Sequence, residues 1–248
     1  MKDKLAIDGG KPIRNTYLSY GHQSIDNRDI AEVTSILKSD FITQGPKVRE
    51  FEQAFADYCK TKYAVSFTSG TAALHGACSA AGIRKNDEAI TSPITFVASS
   101  NCVLYLNGKV GFADIKKDTY NINPAEIKKI ITDKTKVLIP VDFTGQPCDL
   151  DEIKEIANEK SLTIIEDASH ALGAKYKGKI LGSLCDLTIF SFHPVKHITT
   201  GEGGMVLTNN EGLFEKLKNF RTHGITKDPG KMYKNEGDWY YEMQNLGF

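Results

Sequence analysis

The fold of this sequence is decided by Asp186-Leu-Thr-Ile-Phe-Ser-Phe-His-Pro-Val-Lys-His-Ile-Thr-Thr-Gly-Glu-Gly-Gly204. The apolar run 187–191 predicts a short buried strand, and the proline after it predicts a turn. That turn carries Lys196, and the only other charged residue between positions 187 and 204 is Glu202. A lysine inside a ligand site can lose its proton and form a Schiff base, and the glycines beyond it would leave room for a bulky ring. The alternative interpretation is a solvated lysine in a surface loop.

Outward from this stretch, and after an irregular first part of the chain, short apolar runs alternate with helical patterns. The pattern predicts strands at 63–67, 88–91, 109–113, 137–141, 162–166, 187–191 and 205–208. It predicts helices at 72–81, 96–106, 124–131, 150–159 and 213–220. This alternation is typical of an α/β fold with a mostly parallel central sheet and helices on both faces. Such sheets bind ligands outside the carboxyl ends of their strands, so polar residues at those ends are the candidates for a site.

Composition narrows the class of protein. Of 248 residues, 40% are hydrophobic, and 31 Lys and Arg balance 31 Asp and Glu. Nucleic-acid binding through phosphate neutralisation would need a basic face, so we expect no nucleic-acid partner. We find neither a signal-like apolar start nor a run long enough to cross a bilayer, and expect no membrane association. Five scattered cysteines without Cys-x-x-Cys spacing favour reduced thiols in a cytoplasmic protein over disulfides or a metal site.

A second candidate feature is the turn Thr68-Ser-Gly-Thr71, which joins a predicted strand to a predicted helix. A helix start offers free backbone N–H groups and favours an anion, while glycine lets the backbone approach a ligand closely. The turn is therefore a candidate phosphate site. An ordinary capped helix start is the alternative.

The third feature is Glu166-Asp-Ala-Ser-His170, an acidic pair directly after an apolar run. An unpaired buried carboxylate is costly, so it should face a cation or a strong donor. A pyridinium nitrogen, a metal or a helix N-terminus could each fill that place. Together the three features supply what pyridoxal phosphate (PLP) needs, namely a phosphate anchor, an acid for the ring nitrogen and a lysine for the aldehyde.

These motifs are similar to those of one known family. Ser69-Gly-Thr-Ala-Ala-Leu74, Glu166-Asp-Ala-Ser-His-Ala171 and the lysine stretch 191–204 resemble the DegT/DnrJ/EryC1/StrS nucleotide-sugar aminotransferases. The resemblance implies the large domain of the PLP-dependent transferase fold (aspartate aminotransferase type I). Sister sugar dehydratases carry His in place of the Schiff-base lysine, whereas Lys196 is present here. A nicotinamide dehydrogenase would need Gly-x-Gly-x-x-Gly after the first strand, which 69–74 does not provide.

The resemblance implies a role for each matching residue. Lys196 would hold PLP covalently and then move a proton, and Asp167 would hold the pyridinium proton. Ser69, Gly70, Thr71 and Ser191 would bind the phosphate. Phe96 would stack on the ring, unless it is a core residue on a helix, and His170 would lie near the ring oxygen, unless it is structural. Sugar-nucleotide contacts would come from Tyr20, Gln23 and His223.

Within the family, four segments resemble the aminotransferases of pseudaminic-acid biosynthesis: 20–25, 39–46, 92–98 and 223–226. These transfer an amino group from L-glutamate to C4 of a UDP-linked 4-keto-6-deoxy-N-acetylhexosamine. The family site lies at a homodimer interface, so we expect a homodimer with a shared active site. An aminotransferase for another 4-keto nucleotide sugar is the alternative.

The family pattern also predicts the domain organisation. We expect an N-terminal arm at 1–30 and a PLP-binding large domain at 31–248. In the family a Gly-aromatic-Asn-Tyr-Arg motif follows, but the sequence ends at Gly247-Phe248. We therefore expect a C-terminally truncated chain without the small C-terminal domain, and an inactive or weakly PLP-binding fragment as the alternative function.

Overall fold

The seven-stranded sheet at the centre of the molecule is built from the apolar runs of the sequence. The structure is a computed structural model that describes residues 4–248. The strands are β1 (Tyr63–Phe67), β2 (Glu88–Thr91), β3 (Lys109–Phe112), β4 (Thr135–Ile139), β5 (Thr163–Asp167), β6 (Lys175–Tyr176), β7 (Lys179–Ile180), β8 (Leu187–Ser191), β9 (Gly204–Thr208), β10 (Ile225–Thr226) and β11 (Glu242–Met243). The helices are α1 (Asn27–Leu37), α2 (Pro46–Cys59), α3 (Gly70–Ala80), α4 (Ala98–Leu104), α5 (Pro124–Ile130), α6 (Leu150–Lys160) and α7 (Glu211–Arg221).

The strand order is β1-β9-β8-β5-β4-β2-β3, and β9 runs antiparallel to both of its neighbours. The pairs β8–β5, β5–β4, β4–β2 and β2–β3 are parallel. The prediction of a mostly parallel α/β sheet is confirmed. Because β9 alone is reversed, its start rather than its end lies at the edge where the other six strands finish. The two small hairpins, β6–β7 and β10–β11, pair outside the main sheet.

Two hydrophobic layers cover the sheet, one on each face. The alternation along β4 shows this division, since Leu138 packs into one layer while Val137 and Ile139 pack into the other. The first layer receives apolar residues from α2, α5 and α6, and the second from α3, α4 and α7. Helices therefore lie on both faces, as predicted.

The remaining sequence predictions differ from the structure at a few boundaries. Helix α3 begins at Gly70 rather than at position 72, because Ser69 caps it by accepting a hydrogen bond from the Ala72 N–H. Helix α4 spans Ala98–Leu104 and is shorter than the predicted 96–106. Asp167 is the last residue of β5 rather than the first residue after it.

Helices α1 and α2 are absent from the sequence predictions. Asp26 begins α1 with a reciprocal capping box to Asp29. Pro46 stands in the first turn of α2, whose apolar face packs into the core through Phe55 and Cys59. The predicted domain boundary between residues 30 and 31 falls inside α1.

The described residues before α2 lie on the outside of the molecule. No residue of α1 is buried, and Ile30, Val33 and Leu37 on its apolar face are all more than half exposed. Even so, this segment reaches the lysine turn, because a Cβ on Gly21 would lie 3.5 Å from the Cβ of Val195. The N-terminal segment therefore runs beside Lys196.

Within residues 4–248, no helix combines the length and apolar character needed to cross a bilayer.

Candidate active site

A cavity of about 510 Å³ opens at the carboxyl ends of the parallel strands. Its lining brings together the three segments singled out in the sequence, although they are far apart along the chain. The predicted residues that line it are Ser69, Gly70, Thr71, Phe96, Asp167, His170, Ser191 and Lys196. This convergence follows from the topology, since α/β sheets form their ligand crevices at this edge.

The turn that carries Lys196 connects the end of β8 to the start of β9. The Lys196 N–H donates to the His193 carbonyl at 2.9 Å, which closes the turn and directs the chain across the cavity edge. The Lys196 side chain is partly buried and lines the cavity. Burial lowers the pKa of its ammonium group, and the nearby charge of Asp167 opposes part of that effect. Lys196 is therefore not the solvated loop lysine of the alternative interpretation.

Asp167 presents its carboxylate to the cavity from the end of β5 and is 5% exposed. One oxygen, Oδ2, accepts a 2.7 Å hydrogen bond from the Ser99 hydroxyl. The other, Oδ1, accepts from the Ser169 N–H at 3.2 Å. The two bonds fix the orientation of the carboxylate, and the cation or strong donor expected to face it stays a prediction.

The turn 68–71 lies directly against the ends of β8 and β9. A Cβ on Gly70 would stand 2.9 Å from the Cβ of Ser191, so only glycine fits there without a shift. The N–H groups of Gly70 and Thr71 belong to the first turn of α3. The N–H groups of a first turn have no carbonyl acceptor within their own helix. Those N–H groups and the Ser191 hydroxyl are the donors of the candidate phosphate site, and phosphate binding by them stays a prediction.

Phe96 and His170 both line the cavity but differ in how far they are exposed. Phe96 precedes α4 and is 71% exposed, so the alternative of a core phenylalanine on a helix is wrong. His170 is half-buried, and burial together with the charge of Lys196 lowers the pKa of its imidazole, against the opposing effect of Asp167. A neutral imidazole at the cavity wall can donate and accept hydrogen bonds.

The glycines after Lys196 have a different role from the expected one of leaving room for a ring. Gly203 and Gly204 do not line the cavity. A Cβ on Gly203 would lie 2.3 Å from the Thr200 Oγ1, and one on Gly204 would lie 2.4 Å from the Ser69 carbonyl oxygen. Gly201 has φ +79°, which glycine adopts without strain. These glycines therefore pack the lysine loop and seat the turn 68–71 on β9.

The three residues predicted to contact a sugar nucleotide lie outside the cavity lining. Tyr20 is 98% exposed, and Gln23 and His223 are exposed as well. Their role stays a prediction.

Sequence reasoning missed several residues that the structure brings to the cavity. Thr95 and Ser99 hydrogen bond to each other at 2.8 Å and extend the contact of Ser99 with Asp167. Phe143 lines the cavity from the segment after β4, and His193 lines it beside Glu202. Thr95 and His193 lie shortly after the strands β2 and β8 and could have been found from that position, whereas Ser99 inside α4 and the apolar Phe143 carry no such signal.

Comparison with known proteins gives a family match over most of the chain. The model of the DegT/DnrJ/EryC1/StrS aminotransferase family matches residues 23–247. A Campylobacter jejuni protein, UDP-4-amino-4,6-dideoxy-N-acetyl-beta-L-altrosamine transaminase, is 46% identical over 234 residues, which cover 93% of this chain and 60% of that one. The chain spans about 60% of the length of the curated relatives it matches.

Solved structures agree with the match. The Helicobacter pylori aminotransferase PseC, involved in the biosynthesis of pseudoaminic acid, is similar with a TM-score of 0.84 and 32% identity, over 93% of this chain and 60% of that one. A Streptococcus pneumoniae protein described as a sugar aminotransferase, in its PLP form, is similar with a TM-score of 0.85 and 30% identity, over 93% of this chain and 62% of that one.

Proposed function

The chain belongs to the DegT/DnrJ/EryC1/StrS aminotransferase family. We propose that it binds PLP through Lys196 and forms the PLP-binding part of a nucleotide-sugar aminotransferase. The observation that carries the proposal is the meeting of Lys196, Asp167 and the turn 68–71 in one cavity. The lysine stands in the turn after β8, the carboxylate at the end of β5 and the turn 68–71 after β1. These three features match the aldehyde, the ring nitrogen and the phosphate of PLP.

The residues present fit that cofactor. Gly70 lets the start of α3 lie directly against Ser191, since a Cβ there would stand 2.9 Å from the Ser191 Cβ. Asp167 would hold the ring nitrogen, and the first-turn N–H groups of α3 with Ser191 would hold the phosphate. Phe96 is exposed at the cavity and available to stack on a ring. The family likeness to a protein solved in a PLP form supports the same cofactor.

When bound, PLP supplies an electron sink for negative charge that develops at a substrate carbon. The protein's own groups do the rest. Lys196 has a depressed pKa, so its Nζ spends more of its time as the neutral amine that can attack a carbonyl and later accept or return a proton. Asp167, fixed by Ser99, keeps one negative charge at the buried end of the cavity.

We propose L-glutamate as the amino donor and a UDP-linked 4-keto-6-deoxy-N-acetylhexosamine as the acceptor, as in pseudaminic-acid biosynthesis. The likeness to the Campylobacter jejuni transaminase and to PseC supports this choice. Residues 31–248 would form the PLP-binding domain and 1–30 an N-terminal arm, in a cytoplasmic protein. Tyr20, Gln23 and His223 would contact the sugar nucleotide.

We propose a homodimer with a shared active site. Exposed apolar side chains near the cavity support it, because a surface of this kind marks an interaction site. They are Ile94, Phe96, Val97, Val195 and Ile198.

The experiment that tests the function is borohydride reduction of the protein after addition of PLP, followed by peptide mass spectrometry. We expect a pyridoxyl label on the peptide with Lys196, its loss in Lys196→Ala, and its persistence in Lys177→Ala, which removes an exposed lysine paired with Asp151. A label that survives in Lys196→Ala would contradict the proposal.

A second measurement separates cofactor binding from transamination. Unreduced protein loaded with PLP is incubated with L-glutamate, and formation of 2-oxoglutarate is followed, first alone and then with the UDP-linked keto sugar. Labelling without any 2-oxoglutarate would favour a PLP-binding chain without turnover. Preference for another 4-keto nucleotide sugar would change the acceptor and leave the reaction class unchanged.

A further inference from the structure

Two carboxyl groups lie buried in the protein interior beside the cavity and have no role in the proposed chemistry. Asp142 follows β4 and Glu166 precedes Asp167 on β5, and both are fully buried. Their surroundings supply each with a single donor. The Cys148 N–H donates to the Asp142 Oδ1 at 2.9 Å, and the Thr188 hydroxyl donates to the Glu166 Oε2 at 2.8 Å.

One oxygen of each group is left without a protein partner, namely Oδ2 of Asp142 and Oε1 of Glu166. A buried acceptor without a donor is costly, and two ionised carboxylates side by side in the interior would be more so. A bound metal does not account for them, because the part of the chain that the structure describes contains no cluster of three His, Cys, Asp or Glu side chains suited to a metal ion. A proton between the two groups satisfies both oxygens at once.

We propose that Asp142 keeps its proton and donates it to Glu166, and that this hydrogen-bonded pair positions Asp167 at the cavity. The pair joins two neighbouring strand ends: Asp142 is itself part of the cavity lining, and Glu166 is adjacent to Asp167, which also lines it. Its role toward a cofactor rests on the proposed function, whereas the shared proton does not.

The electrostatics of the interior agree with this assignment. Burial raises the pKa of Asp142 far above its usual range, and the charge of Glu166 raises it further. Burial raises the pKa of Glu166 to about 7, while hydrogen bonds from Thr188 and Asp142 and the charge of Lys154 lower it. The other titratable groups near Glu166 or Asp142 are Cys59, Cys148, Asp167 and Cys185. Both effects favour the protonated form of Asp142, as the geometry of the pair requires.

The connection from the pair to the site runs through the backbone. The Asp142 N–H donates to the Asp167 carbonyl at 3.1 Å, and the Asp167 N–H donates to the Pro140 carbonyl at 2.8 Å. The next residue, Phe143, lines the cavity. Farther along the same turn, Gly145 packs so tightly on the backbone of His170 that a Cβ would lie 2.7 Å from its carbonyl oxygen. Asp142 thus fixes the segment that supports Asp167, Phe143 and His170.

The first test reads the proton itself in the cofactor-free protein. At pH 8 the exposed acids are ionised, so a protonated carboxyl stands out in the infrared spectrum as a separate carbonyl band. We expect this band in the wild type and in Asp151→Asn, an exposed matched control, and its loss in Asp142→Asn. Absence of the band at pH 8, or its survival in Asp142→Asn, overturns the shared proton.

The second test detects a change in the position of Asp167 by its effect on the pKa of Lys196. The pH midpoint of Lys196 acylation is measured by competitive labelling, with Lys177 as the internal reference. Asp142→Asn should keep the wild-type midpoint, because the amide donates to Glu166 as the protonated carboxyl does, whereas Asp142→Ala should shift it. Equal midpoints in wild type and Asp142→Ala overturn the positioning role, and so does an equal shift in both variants. If Asp142→Ala fails to fold, Asp142→Leu, which has a similar size and cannot donate to Glu166, takes its place with the same two outcomes.

Failure of the proposed function leaves a different signature. If the protein takes no pyridoxyl label but shows the infrared band and the expected Lys196 midpoints, the proposed pair stands and only the cofactor assignment is wrong. If the protein is labelled but shows no infrared band, the cofactor assignment stands and the proposed pair is wrong.

Discussion

The Ser99 hydroxyl donates a 2.7 Å hydrogen bond to Oδ2 of Asp167, and both side chains are buried. Ser99 lies in α4 and Asp167 at the end of β5, so the bond joins a helix on one face of the sheet to the cavity edge. Thr95 hydrogen bonds to Ser99 in turn. The orientation of the acid is therefore set by Ser99, which is itself held by Thr95.

From this relationship we expect Ser99→Ala to weaken PLP binding. The bond is present in the cofactor-free protein, so we expect its loss to lower the free energy of unfolding by about 1.5–3 kcal/mol. The dissociation constant of PLP should rise because the Asp167 carboxylate is then held less firmly. The constant is measured by titrating PLP against the absorbance of the bound cofactor. Ser100→Ala is the matched control, since the Ser100 hydroxyl bonds only to the Val97 carbonyl. Equal affinity in both variants would remove Ser99 from the site.

The charge of Asp167 also acts on Lys196. Burial lowers the pKa of the lysine, and Asp167 partly restores it by favouring the ammonium form. Asp167→Asn removes that charge, so we expect the pKa of Lys196 to fall further below its usual value. Competitive acylation of Lys196 against Lys177 in the cofactor-free protein measures the midpoint. A midpoint that rises in Asp167→Asn would contradict the electrostatic account.

Gly204→Ala should disturb the phosphate side of the cavity. The new Cβ would lie 2.4 Å from the Ser69 carbonyl oxygen, a backbone atom that cannot move aside alone. We expect a loss of about 1–3 kcal/mol in the free energy of unfolding, as for other overpacked sites, together with weaker PLP binding. Denaturant unfolding and PLP titration check the two effects. Gly111→Ala is the control, because its Cβ would make only ordinary contacts at 3.5 Å, and it should be tolerated.

Glu166 makes stability depend on pH. Its pKa in the folded state is about 7, above the usual 4.5, so the folded protein binds more protons than the unfolded chain between those values. Stability should therefore fall as pH rises from about 4.5 to 7, by up to about 1.4 kcal/mol per pH unit for this group. In Glu166→Gln this titration is removed, so the free energy of unfolding should fall less steeply with pH.

Unfolding in denaturant at several pH values between 5 and 8 measures this slope. The exposed Glu155→Gln serves as the matched control and should follow the wild type. An unchanged slope in Glu166→Gln would show that the Glu166 carboxyl does not titrate in this range.

The sequence predicted the strands of the main sheet because their apolar runs are strong local signals. It also predicted which strand ends carry the site, since Lys196, Asp167 and the turn 68–71 each directly follow or end such a run. Local signals of a similar kind were present for α1 and α2. Asp26 and Asp29 form the capping box at the start of α1, and Pro46 stands at the start of α2 before its apolar residues. These two helices were therefore within reach of sequence reasoning.

Other features depend on contacts that no local pattern contains. The reversed direction of β9 follows from its pairing with β1 and β8, not from its composition. The bond of Ser99 to Asp167 joins residues far apart in the sequence, and so does the close approach of Gly70 to Ser191. Short hairpins such as β6–β7 carry too few residues to give a periodic signal. Only the folded arrangement determines these.

The reversed β9 also fixes the order in which the site can be completed as the chain folds. Gly204 pairs with Ser191 across a short loop and with Phe67 across most of the chain. The nearby pairing has little loop entropy to overcome, while the distant one is slow. During synthesis from the N-terminus, β1 and the turn 68–71 emerge early but have no neighbour in the sheet until β9 leaves the ribosome. The lysine side of the cavity is thus built locally, and the phosphate side closes last.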